Sequence, residues 1–279
     1  MIKLIVIDLD GTLLNDDKKI SSTNENAIAK ALEMGVHVSI STGRSYVSGH
    51  EIVEKLAIDI PVSYQNGALV VHGCGSDLRI ISQSFLSANR AVEIYKKAID
   101  KNLNSLVFFD FFRVPDISTA ILTDSPYRGY YLNNSYRIIR DEDPLSRIED
   151  QGIPEVAIEG KERTILEALR ELNSQLEDVT VVKNDNQEDH AFYEFFGPGV
   201  GKSNGLRHIL DYLDLEWEEV AYIGDNFNDI DILRRAALPS VMSNAPDEVK
   251  RYAKIITKNS NNDNGVAEAI ESIMKWQEC

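Results

Sequence analysis

Cysteine is nearly absent from this chain: Cys74 and Cys279 are the only two among 279 residues. Two thiols build neither a disulfide framework nor a four-cysteine zinc site, and their scarcity points to a reducing compartment. Positive charge is also short, with 29 Lys and Arg against 45 Asp and Glu and a formal net charge of −16. That balance argues against nucleic acid and anionic membrane surfaces as partners. A phosphorylated ligand fits only where cations gather locally, as metal, lysine or arginine. No apolar run approaches the length that spans a bilayer, and no basic segment followed by a long apolar core opens the chain. The expectation is a soluble, cytoplasmic protein. Its five histidines, His37, His50, His72, His190 and His208, share no metal-ligand spacing.

What the chain does have is enough apolar sequence, 43% of residues, to fill one large or two ordinary domains. Ile2 to Ile7 form a short apolar run rich in β-branched residues, as in a strand buried on both faces of a parallel sheet. Polarity changes abruptly after it, at Asp8, Leu9, Asp10, Gly11 and Thr12. Open α/β sheets bind ligands outside the carboxyl ends of their strands. Two carboxylates at this spacing on extended backbone can face one region, where they repel unless a cation binds or a pKa rises. The same residues also suit an ordinary strand end followed by an Asp-Gly turn.

Downstream segments narrow the choice. Ser22 and Glu25 fit a capping box, Ala27, Ile28, Ala31 and Leu32 have helical spacing, and Gly35 suits the carboxyl cap. Val36 to Ile40 is a second strand, which a right-handed crossover makes parallel to the first. Thr42, Gly43 and Arg44 therefore emerge at the same sheet edge as Asp8, where a hydroxyl and a helix-start N–H suit an anion or simply cap a helix. A helix over 45–56 and a tight turn at Gln65-Asn66-Gly67-Ala68 follow. From Phe85 to Glu194 the pattern changes to helices near 87–101 and 162–176. Strands are predicted there at 105–112, 118–123, 154–159, 179–184 and 191–196. Runs of strands between helices predict an inserted α+β unit. The α/β pattern then resumes: Lys202 opens a helix, and a third buried strand over Glu219–Ile223 ends in Gly224-Asp225-Asn226-Phe227-Asn228-Asp229. The fold class is thus α/β, a doubly wound parallel-sheet core formed by 1–83 and 197–279. A second, inserted α+β domain spans 84–196.

Strand ends and a helix start thus bring together Asp8, Asp10, Thr42, Lys202, Asp225, Asn228 and Asp229. Carboxylates can hold Mg²⁺ in an oxygen shell, while a hydroxyl, a lysine and backbone N–H groups grip phosphate oxygens. The implied partner is a small phosphorylated metabolite.

Here the sequence resembles the haloacid dehalogenase-like hydrolases, whose four motifs are matched across nearly the whole core. Asp8-Leu9-Asp10-Gly11-Thr12 is similar to the first motif, Thr42-Gly43-Arg44 to the second, Lys202 to the third, and Gly224 to Asp229 to the fourth. The position of the insertion, with Asn66-Gly67-Ala68, resembles the Cof-type sugar phosphatases with a type II cap. Asn262-Asp263-Asn264-Gly265-Val266 is similar to a late signature of that group, with Asn264 a departure, and Ser203 stands where glycine is common.

The resemblance implies a phosphatase in which Asp8 attacks phosphorus and forms an aspartyl phosphate, with Asp10 as general acid and base. It implies Mg²⁺ held by Asp8, the Asp10 carbonyl and Asp225, with Asn226 or Asp229 nearby. Phosphate binding falls to the Leu9 N–H, Thr42, Gly43, Lys202 and Asn228, and Asp229 supports Lys202 or caps a helix. Asp8 should stay ionised while Asp10 carries a proton when the ester breaks. Arg44 reads as a partner for a surface acid, and Tyr127, Tyr130 and Tyr131 as packing residues. Alternatives are a phosphomutase of the same fold and a non-catalytic phospho-ligand module such as a receiver domain. The physiological substrate and the oligomeric state are not legible in the sequence.

Overall fold

In a computed structural model, described over residues 1–276, the chain forms two compact units. One is Met1–Gln83 with Gly201–Cys279, and the other is Ser84–Val200. Cys279 lies outside the described residues.

The first unit is built on a five-stranded parallel sheet in the order Ile255–Ile256, Leu238–Val241, Val220–Gly224, Leu4–Ile7, His37–Ile40. Leu4, Ile5, Val6 and Ile7 are all fully buried, which explains the unbroken apolar run in the sequence. Each contributes about 1.5–3 kcal/mol of burial free energy. Leu4, Val6, Val220 and Tyr222 share a core with Leu206, Ile209 and Leu210 of the helix Lys202–Leu213. The helices Ser22–Glu33 and Gly265–Trp276 pack together, and buried Asn24 accepts the Ala267 N–H at 3.0 Å.

The first of these helices is capped one residue earlier than its sequence predicts. Ser21, not Ser22, is in extended backbone, and its hydroxyl accepts the Asn24 N–H. Asn24 thus occupies the place expected for a capping-box glutamate, and its own side chain is spent on Ala267.

Parallel pairing of Leu4–Ile7 with both His37–Ile40 and Val220–Gly224 brings three carboxyl ends to one edge. A small antiparallel sheet, Val62–Tyr64, Leu69–His72 and Arg79–Gln83, adjoins that edge. The Thr42 N–H donates to the Ser63 carbonyl at 3.0 Å and ties the two sheets together.

The second unit is a six-stranded sheet in the order Thr180–Gln187, His190–Phe196, Glu155–Lys161, Asn104–Phe108, Ile117–Thr119, Ile138–Arg140. All its pairs are antiparallel except the last, which is parallel. Helices Ala88–Asp100 and Glu162–Leu172 bury Ala91, Ile94, Tyr95, Ile165, Ala168 and Leu172 in the core on that sheet. Tyr127 and Tyr131 pack in a separate core with Leu106, Phe108 and Phe192. The edge strand Ile138–Arg140 and the helix Arg128–Asn133 are absent from the sequence reading. Three and six residues are too short for a detectable period. Gly197 to Val200 belong to this unit rather than to the parallel-sheet one, and a Cβ on Gly197 would run into the Phe85 carbonyl. Among the described residues no helix is long and apolar enough to cross a membrane.

Candidate active site

Asp8 is the first residue beyond the strand Leu4–Ile7, with its N–H still bonded to the Ile223 carbonyl at 2.9 Å. The backbone places its carboxylate in the interior, only 5% exposed. Lys202, first residue of its helix, reaches it: Nζ lies 2.6 Å from Asp8 Oδ1 and 2.6 Å from Asp229 Oδ1. Burial disfavours the ammonium, but Asp229 and Asp8 reverse that effect and raise its pKa. Burial also pushes the Asp8 carboxyl well above the ordinary range; Lys202 opposes the rise, while Asp229 and Asp225 add to it.

Asp225 follows the strand Val220–Gly224, and Thr12 Oγ1 donates to its Oδ1 at 2.6 Å. Burial, then Asp229, pushes the Asp225 carboxyl up to about 7. Gly11 has a φ of +75°, and a Cβ there would collide with the Asp225 carboxylate. The glycine of the first motif is therefore required twice, by conformation and by space.

Oxygens of Asp8, Asp225 and Asp229 lie within 4.8 Å of one another. The three differ in what they can still bind. Asp229 Oδ1 accepts from Lys202 and from Tyr222 Oη, each at 2.6 Å, and Oδ2 accepts the Asp225 and Asn226 N–H groups at 2.8 Å. Its four acceptor positions are filled, so it anchors the lysine and the turn. Asp8 and Asp225 keep acceptor capacity and carry like charges that burial leaves poorly neutralised. This all-oxygen pair fits a hard divalent cation better than a soft one. Asn226 Oδ1 caps the turn by accepting the Phe227 N–H at 2.8 Å.

Thr42 is 1% exposed, and its Oγ1 accepts the Arg44 N–H at 3.1 Å. Its carbonyl accepts from the Asn66 N–H at 3.0 Å. Asn228 Nδ2 donates to Asn66 Oδ1 at 3.0 Å, and a Cβ on Gly43 would meet both amide groups at 3.4–3.6 Å. Thr42, Gly43, Asn66 and Asn228 therefore form one small polar group. Asn66 carries no role in the sequence reading beyond its family resemblance. Its φ of 52° in the turn between two strands is what delivers it here. Gly67 makes that turn possible, because a Cβ on it would strike the Gly201 carbonyl at the Lys202 helix start. Leu9 is fully buried, and its carbonyl accepts the Thr12 and Leu14 N–H groups at 3.4 and 2.8 Å.

Asp10 stands apart from the acidic group. Arg44 grips it with two bonds, Nε to Oδ2 at 2.5 Å and Nη2 to Oδ1 at 2.8 Å, and Lys18 Nζ adds a third at 2.8 Å. The surface acid expected for Arg44 is thus Asp10 itself. Burial pushes this carboxyl up, but Arg44 and then Lys18 outweigh it and hold it at about 2. In this arrangement the order of the two acids is the reverse of the one expected for catalysis, with Asp8 raised and Asp10 lowered. The cause is specific: Asp10 has two cations beside it, whereas Asp8 shares one lysine among several buried acids.

Two departures from the motifs also find places. The Ser203 N–H donates to Asp231 Oδ2 at 2.9 Å, so the helix start is capped and Lys202 keeps its position. Asn264 has a φ of 67° immediately before the last helix and accepts from Ser21 Oγ at 2.6 Å.

The profile of the haloacid dehalogenase-like hydrolases matches residues 5–270. The chain belongs to that family. A similar relative is 5-amino-6-(5-phospho-D-ribitylamino)uracil phosphatase YcsE of Bacillus subtilis, 32% identical over 96% of this chain and 94% of the relative. A second enzyme of that name from the same organism, YwtE, is 28% identical over 99% of each chain. Among solved structures, a haloacid dehalogenase-like hydrolase from Bacteroides thetaiotaomicron superposes with a TM-score of 0.80. It is 27% identical and covers 98% of this chain and all of its own. A subclass IIB sugar phosphatase shares the fold at 20% identity and a TM-score of 0.79, over 98% of this chain and 99% of its own. The family resemblance read from the motifs is borne out, and so is the α/β class.

Proposed function

We propose that this hydrolase is a Mg²⁺-dependent phosphatase of small phosphate monoesters, with sugar and polyol phosphates as its substrate class. The observation that carries the reading is the buried Asp8 carboxylate, held by Lys202 at 2.6 Å beside Asp225 at the carboxyl edge of a parallel sheet. The parallel-sheet unit, 1–83 and 201–279, acts as the catalytic core, and the inserted α+β unit, 84–200, selects the leaving group.

Asp8 and Asp225 hold Mg²⁺, with the Asp10 carbonyl and Asn226 contributing further oxygens. The ion supplies positive charge that lets an anionic nucleophile meet an anionic phosphate. Lys202, Thr42, Gly43 and Asn228 hold the phosphate oxygens, with the Leu9 N–H, and Asn66 fixes the Asn228 amide from behind. An Asp8 oxygen bonds to phosphorus while the bond from phosphorus to the leaving oxygen breaks. Asp10 gives that oxygen its proton, so an alcohol departs and an aspartyl phosphate remains. Asp10 then takes a proton from water as the water oxygen attacks phosphorus, which returns the Asp8 carboxylate and inorganic phosphate.

Asp10 can donate a proton only if the grip of Arg44 and Lys18 loosens. Entry of a phosphate dianion supplies both cations with another partner. Relatives named for a ribityl phosphate ester make 5-amino-6-(5-phospho-D-ribitylamino)uracil the first metabolite to assay. The direct test is phosphate release from an aryl phosphate with Mg²⁺. Repeated turnover is expected, abolished by Asp8→Asn; no release from any sugar, polyol or aryl phosphate would overturn the reading.

A further inference from the structure

Tyr222 is the largest fully buried side chain of the described residues, and it sits on the strand Val220–Gly224, three positions before Asp225. Its ring packs in the core between the sheet and the Lys202–Leu213 helix, against Leu206, Ile209 and Leu210. Phenylalanine would serve that packing equally well. The hydroxyl, however, ends within the charged group: Oη donates to Asp229 Oδ1 at 2.6 Å and lies 3.4 Å from Lys202 Nζ.

An ammonium has three N–H bonds. Those of Lys202 point to Asp8 Oδ1, Asp229 Oδ1 and Tyr222 Oη. Asp229 Oδ1 accepts from two donors, one cationic and one neutral. The phenol thus takes up a share of the Asp229 charge that would otherwise be balanced by Lys202 alone.

We infer that Tyr222 is a positioning residue for the phosphate site, whose hydroxyl keeps Lys202 shared between Asp229 and the Asp8 side instead of collapsed onto Asp229. This inference rests on the proposed phosphatase reading, in which Lys202 binds phosphate. Without the hydroxyl, Asp229 Oδ1 has one donor fewer in a buried position, and Lys202 is the single donor left to it. The lysine then moves towards Asp229 and away from the phosphate.

The test compares wild type, Tyr222→Phe, Asp229→Asn and the double variant, each with Mg²⁺. Inorganic phosphate affinity is measured by calorimetry, and KM and kcat with an aryl phosphate. Tyr222→Phe is expected to weaken phosphate binding and raise KM by about tenfold, with kcat within about threefold, as for uniform loss of ground-state and transition-state binding. In the Asp229→Asn background the same change should alter neither constant by more than about twofold, because the charge it balances is gone. Equal phosphate affinity in wild type and Tyr222→Phe overturns the inference. So does an equal loss in both backgrounds, which marks a packing effect. Wild type that binds phosphate without hydrolysing esters defeats the phosphatase reading alone, and the affinities still decide the role of Tyr222. Wild type that binds no phosphate overturns both.

Discussion

Lys202 holds two buried carboxylates at once while its own side chain has no exposure. An ion group of this kind is weak support for stability as a whole, yet removing one partner strands the others. Lys202→Met keeps the volume and deletes the charge, leaving Asp8 and Asp229 without their common cation. The expected cost is about 3–5 kcal/mol at pH 8. It should shrink by pH 5, because a stranded carboxyl takes up a proton and becomes neutral. Urea unfolding at the two pH values checks this, and a cost that does not change with pH would refute it. Arg44 acts on the neighbouring acid with the opposite sign. Its guanidinium holds the Asp10 carboxyl at about 2, so Arg44→Ala must let that pKa rise towards the ordinary 3.8. The limb of the kcat/KM profile that reports Asp10 in the free enzyme should move to higher pH in the variant. An unmoved limb would mean that Arg44 does not set the Asp10 pKa in the free enzyme.

The loop after the first strand carries Asp10, Gly11 and Thr12, and it is clamped by a distant segment of the chain. Asn261 Nδ2 donates to the Leu14 carbonyl at 3.1 Å and to Asp16 Oδ1 at 3.2 Å, and Asn262 Nδ2 donates to Asp16 Oδ2 at 3.0 Å. Asn244 Nδ2 donates to the Gly11 carbonyl at 2.8 Å. Asn261→Ala removes two of these bonds and leaves a buried carbonyl unpaired, at a cost of about 1–3 kcal/mol. A lowered melting temperature together with reduced phosphate release is the expected result; full activity would show that the loop holds its shape unaided. The late Asn-Asp-Asn-Gly-Val segment is visible in sequence only as a resemblance, since its work is a set of side-chain bonds across some 245 residues. Buried strands and motif-bearing turns were legible because apolar runs and Asp-Gly or Gly-Asp steps are local signals. Lys202 and Asp229 were legible as members of the motifs, and their bond as one of two roles left open for Asp229. Asn66 reaches its place through a left-handed turn and Tyr222 through a strand whose other residues are purely apolar, so neither had a local pattern to reveal its partner. Ser21 displaced Ser22 as the cap because adjacent serines are equivalent until the backbone decides.

For the molecule as a whole, its acidity becomes consequential at Asp8 and Asp225. Burial raises both carboxyls, Asp225 to about 7 from an ordinary 3.8, so the folded protein binds more protons there than the unfolded chain does. The contribution of Asp225 to stability is therefore present below about pH 4 and is lost as pH rises to about 7, and that of Asp8 is lost in the same direction as pH rises through its raised pKa. Asp10, held at about 2, has the opposite sign but changes only below the ordinary 3.8, outside that window. Metal-free protein should accordingly be less stable at pH 8 than at pH 5, as far as these groups decide. In the proposed site Mg²⁺ would bind the ionised carboxylates and compete with their protons. At one hundred times its dissociation constant it adds about 2.7 kcal/mol, a rise in melting temperature of roughly 5–10 °C for a protein of this size. The rise should be largest at pH 8 and small at pH 5, and binding near pH 6.5 should release protons to the buffer. Thermal melts with EDTA or Mg²⁺ at the two pH values, with calorimetry in buffers of different ionisation enthalpy, measure both effects. Equal stabilisation at pH 5 and 8 with no proton release would mean that the cation does not sit on Asp8 and Asp225. Abolition of the Mg²⁺-dependent rise by Asp225→Asn would place it there, because that change removes one ligand charge and leaves the Lys202–Asp229 anchor intact.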